Sequence, residues 1–346
     1  MALSLSGAWA RWLTRLALVL GLLLLVAAPL LRFWVTPVLA QSPEVPGGDG
    51  FVTHVSTGTI SALFDLGSAE AEAADSIEVT RTESTRGSAD GAQQAAADGA
   101  NAAVTDTTDS TVTIDGRVVA ESAYRLAADR STQALIDCCD VAVDGVKVPM
   151  EGAGSPLRLP WFTPAATYPY FDLTLLMPVE MTYIGSEDVG GVAAAKFQQA
   201  TPATPIGTVQ APGRLIGSEL PTVPLTRTHV MNRTLWVDPT TGIILRKVER
   251  VREALRDAGG RDVVTLLAMT TASTPEQVDA LVAQAEEEAL PVLWAYSYGP
   301  ALALGVGLLL VALGTIGTIM RTRAARAEQD FPDELASFDD LKEVFD

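Results

Sequence analysis

Two long apolar runs lie near the ends of the chain, and a region of short alternating segments lies between them. The first, residues 16–31, holds 16 positions without a charge before Arg32 interrupts and FWVTPVLA carries the apolar character on to Ala40. The second, 298–320, is uncharged throughout. A bilayer core takes about 20 residues of helix, so the second run predicts a transmembrane helix over 298–320. For 16–39 two readings stand. A spanning helix fits a run longer than the roughly 15 residues of a secretory h-region, with Phe33 and Trp34 beside Arg32 as an interfacial anchor. A cleaved signal peptide fits Arg11 and Arg15 ahead of the run and the small-residue sequence Val38-Leu39-Ala40. Both export the middle of the chain.

Between the runs, period-two alternation predicts strands. It is partial over 51–65 and clear over 76–84, and 110–129 reads as two strands about Asp115-Gly116. Further hairpins fall at 141–150 and, about a Gly-rich turn, at 179–200; residues 261–272 close the series. In RTLWVDPTTGIILRKVERV (233–251), Asp238-Pro239 opens a turn and Gly242 supplies a residue able to take positive φ. After the turn, the cations Arg246, Lys247, Arg250 and Arg252 predict a basic rim. Residues 85–109 hold Ala, Gly, Asp and Thr with almost no bulky apolar side chain, and are expected as a flexible insertion. At 275–290 the period changes: Thr274, Pro275 and Gln277 start a helix, and Val278, Leu281, Val282 and Ala285 share one of its faces. The fold class expected is a membrane-anchored α+β protein, with two transmembrane helices flanking a β-rich antiparallel extracytoplasmic domain over 40–290.

Charge orients this layout. Arg11 and Arg15 precede the first run and Arg321, Arg323 and Arg326 come after the second, whereas Glu44, Asp49, Glu286, Glu287 and Glu288 flank the other sides. The positive-inside tendency predicts a plasma-membrane protein with both termini cytoplasmic: an N-terminal segment over 1–15 and an acidic tail over 321–346. Of the 42 acidic and 24 basic residues, 34 and 17 lie between Gln41 and Met320. That excess of acid disfavours nucleic acid or anionic headgroups as partners, and solubility is its plainest meaning.

Candidate chemistry is sparse. There are two histidines, His54 and His229, with no Gly-x-Ser-x-Gly elbow, zinc-type spacing or phosphate loop. No enzyme activity, cofactor or metal is expected, and both histidines read as structural. Cys138 and Cys139 are adjacent between Asp137 and Asp140, on the exported side where thiols oxidise. A vicinal disulfide forming a rigid turn is the favoured reading, with two free thiols or links to another copy as the alternatives. Four ligands within four residues cannot surround one ion tetrahedrally, which argues against metal. Ala303, Gly307, Gly314 and Thr318 make a small-residue stripe for helix packing, against the first span or another copy. Trp161, Phe162, Tyr168, Tyr170 and Phe171 crowd into one stretch separated by Pro160, Pro164 and Pro169. They read either as a corner of the core or as an apolar groove that accepts a lipid.

The run LRFWVTPVLAQSP from Leu31, DCCD at Asp137, LPWFTPAATYPYFD from Leu159, YIGSEDVGGVAAAKF and LWVDPTTGII keep the order of an actinobacterial family, and the chain resembles the porin PorA family of envelope proteins. The resemblance implies an uncleaved N-terminal span and an envelope location, with no catalytic motif. A membrane-spanning barrel, by contrast, needs strands of about 9–11 residues with a lipid-facing apolar alternation. Two apolar helices and a charged middle region argue against it. The second run also carries no ionisable residue to line a helical channel. The expected function is therefore a non-enzymatic envelope protein that binds or transfers a lipid or other apolar envelope component, with membrane lipid, copies of itself or an envelope protein complex as partners. The alternatives are an assembly factor for envelope machinery, or a helical channel or porin-related protein.

Overall fold

Alternating residues in the middle of the chain assemble into one antiparallel sheet. The computed structural model describes residues 4–46, 52–68, 70–72 and 77–329. The strands are β1 (Val52–Asp65), β2 (Glu70–Glu72), β3 (Ile77–Gly87), β4 (Ala102–Ile114), β5 (Arg117–Asp129), β6 (Ala142–Val143) and β7 (Tyr168–Asp172). They continue as β8 (Met177–Val189), β9 (Val192–Ala200), β10 (Thr204–Pro212), β11 (Thr222–Val237), β12 (Ile244–Arg256) and β13 (Asp262–Ser273). Their order is β6-β5-β4-β3-β1-β13-β12-β11-β9-β8-β7, with β2 on β1 and β10 on β11. The first and last long strands thus meet in the middle, Ser56 opposite Ser273.

The two ends of this order also meet. Ala128 of β5 bridges Leu135, Ala134 bridges Gly154, and Gly154 bridges Tyr170 of β7. These single bridges curl the sheet around an interior, and the strands' alternation divides inner from outer side chains. The chain divides into two compact units, and this sheet with its connections is one of them, Ala40–Leu290.

The helices of the chain are α1 (Ser4–Leu30) and α2 (Thr36–Leu39) ahead of the sheet, α3 (Ala89–Ala97) within it, and α4 (Pro275–Leu293) and α5 (Gly299–Gln329) after it. The segment over 85–109 departs from expectation. Instead of a flexible insertion it forms the end of β3, helix α3 and most of β4. Ser88 caps α3 by accepting a hydrogen bond from the Gly91 amide at 3.3 Å, as serine commonly does. Small residues here serve close packing. A side chain at Gly91 would meet Val104 Cγ1 at 2.6 Å, and Ala95 is fully buried in a cluster with Val104 and Leu126. Composition suggested an inability to bury surface, but a neighbouring sheet supplied the bulk.

The other unit holds the two apolar runs. Helix α1 passes through a π-helical turn into α2, and α4 passes through a second such turn into α5. Both assemblies are long and apolar enough to cross a membrane. α1 and α5 lie antiparallel at close range: a Cβ on Gly21 would meet Gly307 O at 2.8 Å, and one on Gly314 would meet Leu18 Cγ at 2.6 Å. Gly307 and Gly314 of the predicted stripe therefore pack on the first apolar helix, with Gly21 joining them. Ala303 is buried, and Thr318 donates to Gly314 O at 2.7 Å. Charged groups tie both ends of the pair. Arg321 donates to Thr14 Oγ1 at 2.9 Å, and Arg32 donates to the Tyr296 hydroxyl at 3.0 Å while stacking on its ring at 4.1 Å.

Candidate functional site

The turn between β11 and β12 is a docking hub. Asp238 Oδ2 accepts from the amide and hydroxyl of Thr241, both at 2.7 Å, and the Gly242 amide donates to Asp238 O at 2.9 Å. This leaves three successive carbonyls pointing at the segment before β7. Thr240 O accepts from the Phe162 amide and Gly242 O from the Leu159 amide, each at 2.9 Å, and Thr241 O accepts from Arg158 Nε at 2.8 Å. Gly242 is required twice over. Its φ is +77°, and a Cβ there would lie 2.0 Å from Leu159 O. The hub fixes Arg158, whose guanidinium stacks on Trp161 at 4.4 Å and donates to Glu288 Oε2 of α4 at 2.8 Å.

Inside the sheet, ionisable residues occupy positions in phase with buried apolar ones. Arg81 and Glu83 come after Val79 on β3, and Lys247 and Glu249 lie between Leu245 and Val251 on β12. Glu249 accepts from Arg81 at 2.9 Å and from Arg233 at 2.5 Å. Arg233 also donates to Gln199 at 2.6 Å, and Gln199 donates to Asp172 at 2.9 Å. Tyr124 donates to Glu83, and Lys247 Nζ lies 3.8 Å from Glu83 and 4.0 Å from Glu249. Three cations thus face three carboxylates across the interior. Burial alone would raise the Glu249 pKa. The charges of Lys247, Arg233 and Arg81 overcome it and hold that carboxyl far below the usual range. Glu83 is likewise lowered, by Lys247, Arg81 and the Tyr124 hydroxyl against burial. Lys247 therefore belongs to the interior, which corrects its place in the predicted basic rim. Arg246 stacks on Trp236 and Arg252 pairs with Asp262 at 2.8 Å, and Arg250 and Arg252 are exposed.

Beside this cluster lies a cavity of about 260 Å³. One part of its wall is aliphatic, from Val52, Val55, Leu126, Leu157, Ile243, Ile244 and Leu281, and another carries His54, Ser56, Glu83, Thr85, Lys247 and Ser273. Among the described residues no Phe, Tyr or Trp lines it. Helix α4 contributes Gln277, Leu281, Gln284 and Glu288, a spacing that falls on one helical face. The adjoining face behaves as the sequence suggested: Leu281, Val282 and Ala285, with Val278, pack against Trp236, Ile243 and Leu245. Gln277 accepts from the Val55 amide at 3.2 Å, and its amide nitrogen lies 3.3 Å from His54 Nδ1. Burial lowers the His54 pKa, with Glu83 opposing and Lys247 adding to it. The second histidine, His229, is buried with Nδ1 3.1 Å from Glu253.

The aromatic stretch does not form one groove. Along β7, alternation sends Phe171 into a cluster with Leu126, Leu135 and Met150, and Tyr168 and Tyr170 into another with Phe197, Met181 and Leu235. Tyr170 donates to Pro156 O at 3.3 Å and carries Arg233 over its ring at 4.9 Å. Trp161 is held under Arg158, and Phe162 takes a φ of +52° at the hub. None of the five lines the larger cavity; Tyr168 and Tyr170 line a smaller one of about 100 Å³. Burial pushes the hydroxyls of both tyrosines up to about 12. Cys138 and Cys139 form a vicinal pair, their sulfurs 2.22 Å apart, across a trans peptide bond. Asp137 accepts from the Met150 amide at 2.7 Å and Asp140 from Lys147 at 2.7 Å, so DCCD is a turn tied to its own surroundings. Among the described residues no group of side chains is arranged to hold a metal ion.

A β-rich antiparallel unit with a charge-filled interior and a partly aliphatic cavity, in a chain with two long apolar helices, defines a membrane-type protein with no catalytic constellation among the described residues. The chain belongs to the porin PorA family, whose model matches residues 13–316. No curated protein matches it. Membership fits a membrane and cell-envelope location and a non-enzymatic role.

Proposed function

We propose that the protein is anchored in the plasma membrane by its two apolar helices and that its extracytoplasmic β unit binds an aliphatic envelope component in the cavity beneath α4. The observation that carries this reading is the cavity itself, about 260 Å³ with aliphatic walls beside a fixed polar cluster; ligand sites commonly combine an apolar lining with a few placed polar groups. A conducting barrel is less well supported. The interior is occupied by the Arg81, Glu83, Arg233 and Glu249 network. Glu78, Glu121, Glu180 and Arg250 are exposed on the strands, and an Arg or Lys facing lipid at mid-membrane costs about 2–4 kcal/mol.

Native mass spectrometry of the full chain released from its membrane is expected to find a bound aliphatic species. Gln284→Trp, on the cavity face of α4, should remove it with little change in melting temperature. A parent protein that carries no such species, even after incubation with total membrane lipid, overturns the assignment. The layout has its own test. Reporter fusions at Met1, at the exposed Asp115-Gly116 turn and at Asp346 should read inside, outside and inside. A turn fusion reporting from the cytoplasm would contradict the orientation.

A further inference from the structure

We propose that the cavity selects an aliphatic monocarboxylate and that the Lys247 ammonium holds its head. This rests on the proposed binding role and names the class of ligand. Lys247 lines the cavity, with about a quarter of its side chain exposed. Its nearest carboxylates, Glu83 at 3.8 Å and Glu249 at 4.0 Å, lie beyond hydrogen-bond distance. Each already has closer partners: Tyr124 for Glu83, and Arg81 and Arg233 for Glu249. The ammonium is therefore balanced in charge, while its three N–H donors lack an acceptor among the described residues. A partly desolvated ammonium gains most from an anionic oxygen, because charge-assisted hydrogen bonds are about twice as strong as neutral ones.

The surroundings narrow the ligand further. Arg158, the other cation on the wall, is engaged by Glu288 at 2.8 Å, so one cation is left for the head. That suits a monoanion better than a phosphate dianion. Ser273 Oγ accepts from the Lys247 backbone amide at 3.0 Å, and Ser56 stands opposite Ser273 on β1, so two serines that line the cavity share one row of the sheet with Lys247. The aliphatic wall, which among the described residues holds no Phe, Tyr or Trp to stack a sugar or ring, suits a hydrocarbon tail.

The test uses the full chain in phosphatidylcholine nanodiscs, titrated with octanoate, dodecanoate, dodecanol and dodecylamine, with carboxyl-labelled dodecanoate tracked by ¹³C NMR. The parent should bind dodecanoate about tenfold or more tighter than dodecanol and reject the amine, and the labelled carboxyl should shift on binding. Lys247→Gln should erase the preference for the acid while leaving dodecanol affinity unchanged, and Lys247→Arg should largely keep it. Melting curves confirm that each variant is folded, and the parent's acid-over-alcohol preference decides the matter even if Lys247→Gln is not. Equal binding of acid and alcohol by the parent overturns the carboxylate assignment and leaves the binding role intact. Binding of none of the four probes overturns both.

Discussion

Gly242→Ala is expected to destabilise the β unit by about 4 kcal/mol, combining ~1–2 kcal/mol for a left-handed backbone with ~1–3 kcal/mol for overpacking. The contact at fault is with backbone, Leu159 O at 2.0 Å and Pro160 O at 2.8 Å, so no side-chain rotation can relieve it. Either the 158–162 segment moves off the hub or the turn opens. Gly116→Ala is the matched control. Its φ is +76° and nothing lies within 4 Å of the added carbon, so only the backbone cost of about 1–2 kcal/mol remains. Thermal melting of both variants separates the two contributions, and equal losses would show that the hub contact carries no weight. Because the hub holds Arg158, Gly242→Ala should also weaken ligand retention in the cavity.

Removing one charge from the interior should cost a similar amount. Glu249→Leu leaves Arg81 and Arg233 without their shared carboxylate, and breaking a buried ion pair from one side typically costs about 3–5 kcal/mol. The double replacement Glu249→Leu with Arg233→Met should recover part of that loss, since a buried pair replaced by apolar residues is often close to neutral. Acid should act in the same sense. A carboxyl whose folded pKa lies far below its ordinary value of 4.5 contributes stability that is present above about pH 4.5 and lost as pH falls toward the folded value. Denaturation in urea at pH 7 and pH 3 should show a steep loss for the parent. The loss should be shallower for the Glu249→Leu variant, which has one such carboxyl fewer. A variant as acid-sensitive as the parent would remove Glu249 from this role.

Much of the architecture was readable from periodicity, and the cavity was not, for one physical reason. Alternation reports which residues share a face but not which face is inward when both carry charge. Arg246, Lys247, Arg250 and Arg252 looked like one basic rim, yet Lys247 is in phase with Leu245 and Val251 and goes inside. The same phase relation places Glu83 with Val79 and His54 with Ile60. Polar residues at apolar parity were the available sign of a charged interior. Gln284 and Glu288 carried no sign of the cavity they line, because sequence cannot say that a second surface covers the polar side of a helix. The aromatic stretch drew attention by composition, but β7 splits its rings between two clusters. The small-residue stripe at Gly307 and Gly314 was legible because only close backbone approach rewards glycine there.

The pairing of β1 with β13 has a consequence for how the chain is made. Positions 56 and 273 must find each other before the sheet is continuous, and pairings so distant in sequence are slow to form. Until β13 has been synthesised, β1 presents an open edge to any other strand, the situation in which nascent β proteins aggregate. The arms that can form earlier, β3 to β5 on one side and β8 to β12 on the other, meet only through the single bridges between β5 and β7 until β13 pairs β12 with β1. Helix α4 starts at Pro275, immediately after that strand. Completion of the sheet and arrival of the cavity's cover are therefore successive events at the end of synthesis, and a chain truncated before residue 262 would have neither.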